Sequence, residues 1–139
     1  MRVAFDSSAL FKRYAGELGA AQGAAWHERA TSIVLAAHCY TAIMGALTRQ
    51  WREGAFDDAE FRRVRERIRE DFDAYRVEPI DRAIEELSVA AMALFPLRGM
   101  DALHIGSAQA ARVNVFVTAD RRQAHAAQSA GLKTELIEA

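Results

Sequence analysis

Cysteine is nearly missing from this sequence: Cys39 is the single one in 139 residues, so no internal disulfide forms and nothing asks for an oxidising compartment. Proline occurs only at Pro79 and Pro96, and no repeat or low-complexity stretch interrupts the chain, which excludes a Pro-rich linker. No run of about 18 apolar residues exists, so no helix is expected to span a membrane. Residues 1–10 lack a basic segment followed by an apolar one, so no secretory signal is expected and the expected location is the cytoplasm. An excess of charge is missing too. Eighteen basic residues face 19 acidic ones, leaving a net charge of −1 and a pI near 6.4. A protein gripping nucleic acid through its overall field is usually far more basic, so any such role must use a local patch.

What is present fits one globular domain over residues 1–139. Hydrophobic residues make up 51% of the chain, enough for a core without staples, and charged residues 27%, enough for a solvated surface.

Hydrophobic periodicity divides the chain into alternating elements. Arg2-Val-Ala-Phe-Asp6 is a short β-type run ending on an acid, with Ser7 and Ser8 placed to cap a helix through Tyr14. An alanine-rich helical stretch is expected from about Glu17 to Arg29, and Ser32-Ile-Val-Leu-Ala36 reads as a buried strand. Between His38 and Arg52, the residues Tyr40, Ile43, Met44, Leu47 and Trp51 lie on one helical face, and Gly54 ends that helix. Asp57 or Asp58 opens the next, with Phe61, Val64, Ile68, Phe72 and Tyr75 on one stripe. Val77-Glu-Pro79 reads as an extended connector. A helix through Leu94 follows, and another opens at Met100 or Asp101 and runs to Arg112. Val113-Asn-Val-Phe-Val-Thr118 is the clearest strand, with β-branched residues at alternate positions. Asp120 opens a helix ending at Gly131, and Lys133-Thr-Glu-Leu-Ile137 is the last strand. Strands separated by helices predict an α/β domain with a mostly parallel sheet covered on both faces.

In open α/β sheets, ligands sit at the carboxyl ends of the strands. Asp6 and Asp120 follow two such ends, and Asp101 lies near a helix start after Leu97-Arg-Gly-Met100. Converging carboxylates suit a hard cation such as Mg²⁺, which takes oxygen ligands, keeps several waters and activates one of them toward a phosphodiester. The same positions suit N-caps, where a carboxylate accepts from free helix amides. Asp120 and Gln123 even have capping-box spacing. Position alone leaves both readings open.

Longer motifs narrow the choice. Phe5-Asp-Ser-Ser-Ala-Leu10 resembles the opening of PIN-domain toxins of the VapBC type. Leu97-Arg-Gly-Met-Asp-Ala-Leu-His104, followed by Ala108, is similar to their third motif. Val117-Thr-Ala-Asp-Arg-Arg-Gln-Ala124, continuing to Ala130-Gly-Leu132, is similar to their fourth. The order runs the length of the chain. The resemblance implies a three-layer PIN-like sandwich and a Mg²⁺-dependent endoribonuclease in which Mn²⁺ substitutes. It also implies a homodimer neutralised by a VapB-like antitoxin. Asp6, Asp101 and Asp120 then become the catalytic, metal-binding acids. Ser7 and Thr118 become hydroxyls that orient them, or else local caps; Arg121 and Arg122, beside Asp120, are placed for RNA phosphate or simply exposed to solvent.

One position departs. The family's second motif carries a glutamate on the helix after the second strand, and here Tyr40-Thr-Ala-Ile-Met-Gly-Ala-Leu47 puts Ala42 there. A methyl group supplies no oxygen ligand, so weakened metal binding and low or absent activity are expected. A catalytically dead module that binds antitoxin or RNA is the alternative. The arginines at 62, 63, 65, 67 and 69 alternate with Glu60, Glu66 and Glu70, which suits a solvated helix as well as an RNA contact. His104 reads as a core histidine or a proton-transfer group. A phosphoacceptor receiver domain would need a second acid beside Asp6, where Ser7-Ser8 stand, and a lysine after the last strand, where Lys133 precedes it.

Overall fold

The structure, a computed structural model, describes residues 1–16 and 18–137. Their order is β1 (Arg2–Phe5), α1 (Ser7–Ala15), α2 (Ala20–Arg29), β2 (Ser32–Ala36), α3 (Cys39–Arg52) and α4 (Asp58–Phe72). There follow β3 (Arg76–Glu78), α5 (Arg82–Leu94), α6 (Gly99–Ala110), β4 (Val115–Thr118), α7 (Arg121–Ser129) and β5 (Thr134–Leu136). The strands form one sheet in the order β3-β2-β1-β4-β5, and every pairing is parallel.

The two-residue period of the strands builds two cores. Val3, Phe5, Ile33, Leu35, Val115 and Val117 point to one face, where they meet Leu10 of α1, Ile43 and Leu47 of α3 and Ile68 of α4. The intervening Ala4, Val34 and Phe116 point to the other face, toward Ala91 of α5, Ile105 and Ala108 of α6 and Ala126 and Ala127 of α7. Burying one such large side chain contributes about 1.5–3 kcal/mol, so a one-residue slip in register would expose a whole set. The expected α/β sandwich is therefore present, with a wholly parallel sheet.

Several boundaries differ from the sequence expectation. Val77-Glu-Pro79 is more than a connector: residues 76–78 pair with Val34, Leu35 and Ala36 as a fifth, edge strand. The strand is short, and Arg76 pairs with Glu78 along it, which keeps the edge charged. Asp6, not Ser7 or Ser8, caps α1 by accepting from the amide of Ala9. The second helix begins at Ala20, and Glu17, where its start was expected, lies outside the described residues. Asp101 sits inside the first turn of α6, whose cap is Arg98. The Asp120–Gln123 capping box is half made: the Gln123 amide donates to Asp120, but its side chain goes elsewhere. The complete box is Asp57 with Glu60 at α4.

The second face is lined mainly by small residues, so α5 and α6 approach closely. A Cβ at Gly106 would lie 2.2 Å from Ser88 Oγ and 2.7 Å from the carbonyl oxygen of Ile84. Gly106→Ala gains up to about 1 kcal/mol of helix propensity but forces backbone apart, and overpacking of this kind costs about 1–3 kcal/mol or more. A net loss of about 2 kcal/mol is expected, seen as a lower urea midpoint with the slope unchanged. An unmoved midpoint would mean that the two helices tolerate a wider crossing.

Candidate active site

The strand order places a crevice where a ligand belongs. From β1 the chain leaves into α1 on one face, and from β4 into α7 on the other. The carboxyl ends of β1 and β4, which are neighbours, therefore form the topological switch point of the sheet. Asp6 and Asp120 stand at those two ends.

Asp6 is still tied into the sheet by its N–H, which donates to the carbonyl of Val117 (3.1 Å). Its side chain is 4% exposed. Oδ1 accepts from the Ser8 hydroxyl (2.7 Å) and the Ala9 amide (3.0 Å), and Oδ2 accepts from the Thr118 hydroxyl (2.5 Å). Thr118 Oγ1 in turn accepts from the Asp120 amide (3.1 Å), and Ser8 Oγ accepts from the Ala119 amide (3.0 Å). One network thus fixes the segment after β4 against the start of α1. Burial pushes the Asp6 carboxyl up to about 6, opposed by its hydrogen bonds from Thr118, Ala9 and Ser8 and reinforced by the charge of Asp120.

Asp120 is exposed and caps α7, its Oδ1 accepting from the amides of Arg122 (2.8 Å) and Gln123 (3.2 Å). Asp101 is half-buried, with Oδ2 3.5 Å from Arg98 Nε. Both acids line an open cleft of about 350 Å³ together with Leu97, Arg98, Arg122 and Gln123. Asp120 is therefore the acid shared between Asp6, whose ionisation it opposes, and Asp101, whose cleft it lines. Among the described residues, no three His, Cys, Asp or Glu side chains gather into a group that would hold a metal ion.

The other predicted residues fall around this centre. Thr118, fully buried, donates its hydroxyl to the Asp6 carboxylate. The serine that reaches Asp6 is Ser8, whereas Ser7 Oγ lies 3.2 Å from His104 Nε2 and donates to the Cys39 sulfur. Arg121 is exposed at the start of α7, and Arg122 reaches back to donate to the Pro96 carbonyl (2.7 Å). His104 is buried beside His38, ring centroids 4.4 Å apart, and both features push its pKa down to about 3. Burial and the neighbouring His38 thus favour its neutral form, hydrogen-bonded to Ser7. Ala42 is exposed on α3 and lines a separate cleft of about 360 Å³ with Ser7, Ser8, Lys12, Arg49 and Ala119. It thus faces the residues on either side of the Asp6–Asp120 network. Two residues that touch the site, Ser8 and Gln123, were read from the sequence only as helix-capping candidates. Ser8 carried a weak signal, lying two residues past a capping acid. Gln123 carried another, a polar residue on the same helical stripe as Ala126 and Ala127.

A family model described as the PIN domain matches residues 3–129 of the chain. The chain belongs to the PIN-domain family. Among solved structures, this PIN domain is similar to a toxin-antitoxin complex from Klebsiella pneumoniae, at 19% identity and a TM-score of 0.66 over 87% of this chain and 88% of that chain. It is similar to FitAcB from Neisseria gonorrhoeae at 10% identity and a TM-score of 0.75, over 95% of each chain. PAE2754 from Pyrobaculum aerophilum is 18% identical, with a TM-score of 0.67 over 96% of this chain and 83% of its own. At these identities the likeness is one of fold. Comparison with curated proteins gives no match.

The donor set of the PIN domain fits a divalent cation in part. Its oxygens are hard, Asp6 and Asp120 bracket one end of the crevice, and a cation there would favour the ionised Asp6 that burial disfavours. Mg²⁺ keeps several waters and needs only one or two carboxylates plus substrate phosphate. Asp6, Asp120 and, through the shared cleft, Asp101 are the residues that would hold it.

Proposed function

We propose that this PIN domain is a Mg²⁺-dependent endoribonuclease, the toxin of a type II toxin–antitoxin module, with its activity curtailed by Ala42. The observation that carries this reading is the pair of acids at the switch point, Asp6 and Asp120, with the Thr118 hydroxyl donating to the Asp6 carboxylate and accepting from the Asp120 backbone amide. When bound, Mg²⁺ or Mn²⁺ would polarise a phosphodiester and lower the pKa of an attacking water. The chain's own residues hold the acids apart at fixed positions, exclude water around Asp6 and keep it ready to ionise as the cation arrives. Arg121 and Arg122 at the N-terminus of α7 supply positive charge that favours an RNA phosphate. The partners of this reading are an RNA substrate, a second copy of the chain and a VapB-like antitoxin, and its location is the cytoplasm. The Klebsiella toxin-antitoxin neighbour supports the antitoxin assignment through shared fold.

A second reading is a PIN domain without catalysis that binds antitoxin or RNA. The methyl of Ala42 facing the cleft, and the lack of a three-residue metal group among the described residues, favour it.

Incubating the protein with a small-RNA pool in Mg²⁺, Mn²⁺ or EDTA separates the two. Cleavage is expected only with metal, falling about 100-fold in Asp120→Asn, the size of change that several kcal/mol of lost charge stabilisation produces. RNA left intact under every condition by folded protein would transfer the assignment to the binding module.

A further inference from the structure

Gln123 touches both acidic residues of the Asp101–Asp120 cleft, Asp120 through its backbone and Asp101 through its side chain. It is 2% exposed, on the buried face of α7. Its backbone N–H donates to Asp120 Oδ1 (3.2 Å), and its side-chain Nε2 donates to the carbonyl of Asp101 (2.8 Å). That second bond fixes the orientation of the amide, because a carbonyl only accepts and the group facing it must be the nitrogen. The oxygen, Oε1, is buried and accepts no hydrogen bond from the protein. Gln123 nevertheless lines the cleft beside both acids.

Buried acceptors without a donor are rare in folded proteins, and each calls for a physical reason such as a bound water or ion. An apolar side chain of similar size would fill this place without an orphaned oxygen. The donors that suit the cleft are known from its chemistry. A cation held by carboxylates there keeps several waters, and water bound to a divalent cation is a strong hydrogen-bond donor.

We infer that Gln123 is a positioning residue for a hydrated divalent cation held at Asp101 and Asp120: its nitrogen holds the Asp101 backbone and its buried oxygen accepts from a metal-bound water. The inference rests on the metal-dependent reading proposed above.

Calorimetric titration with Mn²⁺ tests it without reference to activity, using the native chain, Gln123→Leu, Gln123→Glu and Asp120→Asn. Leucine removes both the donor and the acceptor, whereas glutamate keeps an acceptor oxygen but replaces the donor to Asp101 with a second oxygen and adds a negative charge. Mn²⁺ affinity is expected to fall about 10–100-fold in Gln123→Leu and to be kept or raised in Gln123→Glu, whose added charge favours a cation, although ionised glutamate, like leucine, lacks the donor to the Asp101 carbonyl. Melting in EDTA reports that shared structural loss separately. If leucine does not fold, Gln123→Met, of similar length and without a carbonyl, takes its place. Equal losses in the leucine and glutamate variants would reduce Gln123 to a plain strut and overturn the inference. So would native affinity in Gln123→Leu while Asp120→Asn abolishes binding, and in that case the metal reading stands. Absence of Mn²⁺ binding by the native chain, or binding indifferent to Asp120→Asn, would overturn the metal reading and this inference with it.

Discussion

Ala42→Glu is expected to raise Mn²⁺-dependent RNA cleavage by about 100-fold or more, the change that several kcal/mol of added metal-site stabilisation delivers. The backbone offers no obstacle. Ala42 is exposed in the second turn of α3, and it lines the cleft that contains Ser8 and Ala119, both bonded into the Asp6–Asp120 network. A carboxylate near a helix N-terminus is favoured by the dipole, and Lys12 and Arg49 on the same cleft offset its charge. Folding in EDTA should therefore change little, by no more than several tenths of a kcal/mol from helix propensity. The effect should appear only with metal, as tighter Mn²⁺ binding and faster cleavage together. Cleavage unchanged while Mn²⁺ binds more tightly would place the defect elsewhere, in RNA binding or in the Asp101 cleft. Neither quantity rising would remove Ala42 as the reason for low activity.

How far such a site can be read in the sequence depends on which physical signal each residue leaves. Asp6 and Asp120 were legible because a strand pattern stops just before them, and strand ends are where parallel sheets bind ligands. The same strands announced both cores, since alternate residues had to be apolar on each face. β3 was not legible: three residues beside Pro79 make too short a pattern, and only pairing with Val34, Leu35 and Ala36 defines it. Ser7 and Ser8 are indistinguishable as neighbours in a sequence. The choice between them is made by the first turn of α1, which brings Ser8 onto the Asp6 carboxylate and turns Ser7 toward His104. Gln123 looked like half of a capping box, and its side chain was diverted because the packing of α6 against the sheet brings the Asp101 carbonyl within reach. Burial was the remaining gap. Nothing in Phe5-Asp-Ser-Ser says that Asp6 loses its contact with water while Asp120 keeps it, yet that difference separates the two carboxylates chemically.

Burial of Asp6 has a consequence for stability that metal should reverse. Its carboxyl, ordinarily near 3.8, is held at about 6 in the folded chain, chiefly because ionisation in the interior is disfavoured. Between those values the folded state binds more protons than the unfolded one, so stability must fall as pH rises from about 4 to about 6 and then level off. A shift of about two units corresponds to about 3 kcal/mol. The native chain compared with Asp6→Asn, by urea unfolding in EDTA from pH 4 to 7.5, isolates this group from the other carboxylates. Stability relative to the variant is expected to drop by about 2.5 kcal/mol across that window, the unfolded carboxyl being already partly ionised at pH 4. Mn²⁺ at 100 times its dissociation constant should return about 2.7 kcal/mol at pH 7.5. It should return much less below pH 5, where the proton occupies Asp6, and the variant should respond weakly at either pH. A flat difference across the window would mean that the bonds from Thr118, Ser8 and Ala9 outweigh burial. The Asp6 carboxylate would then be fully ionised without metal, and its readiness to accept a cation would owe nothing to the interior of the sheet.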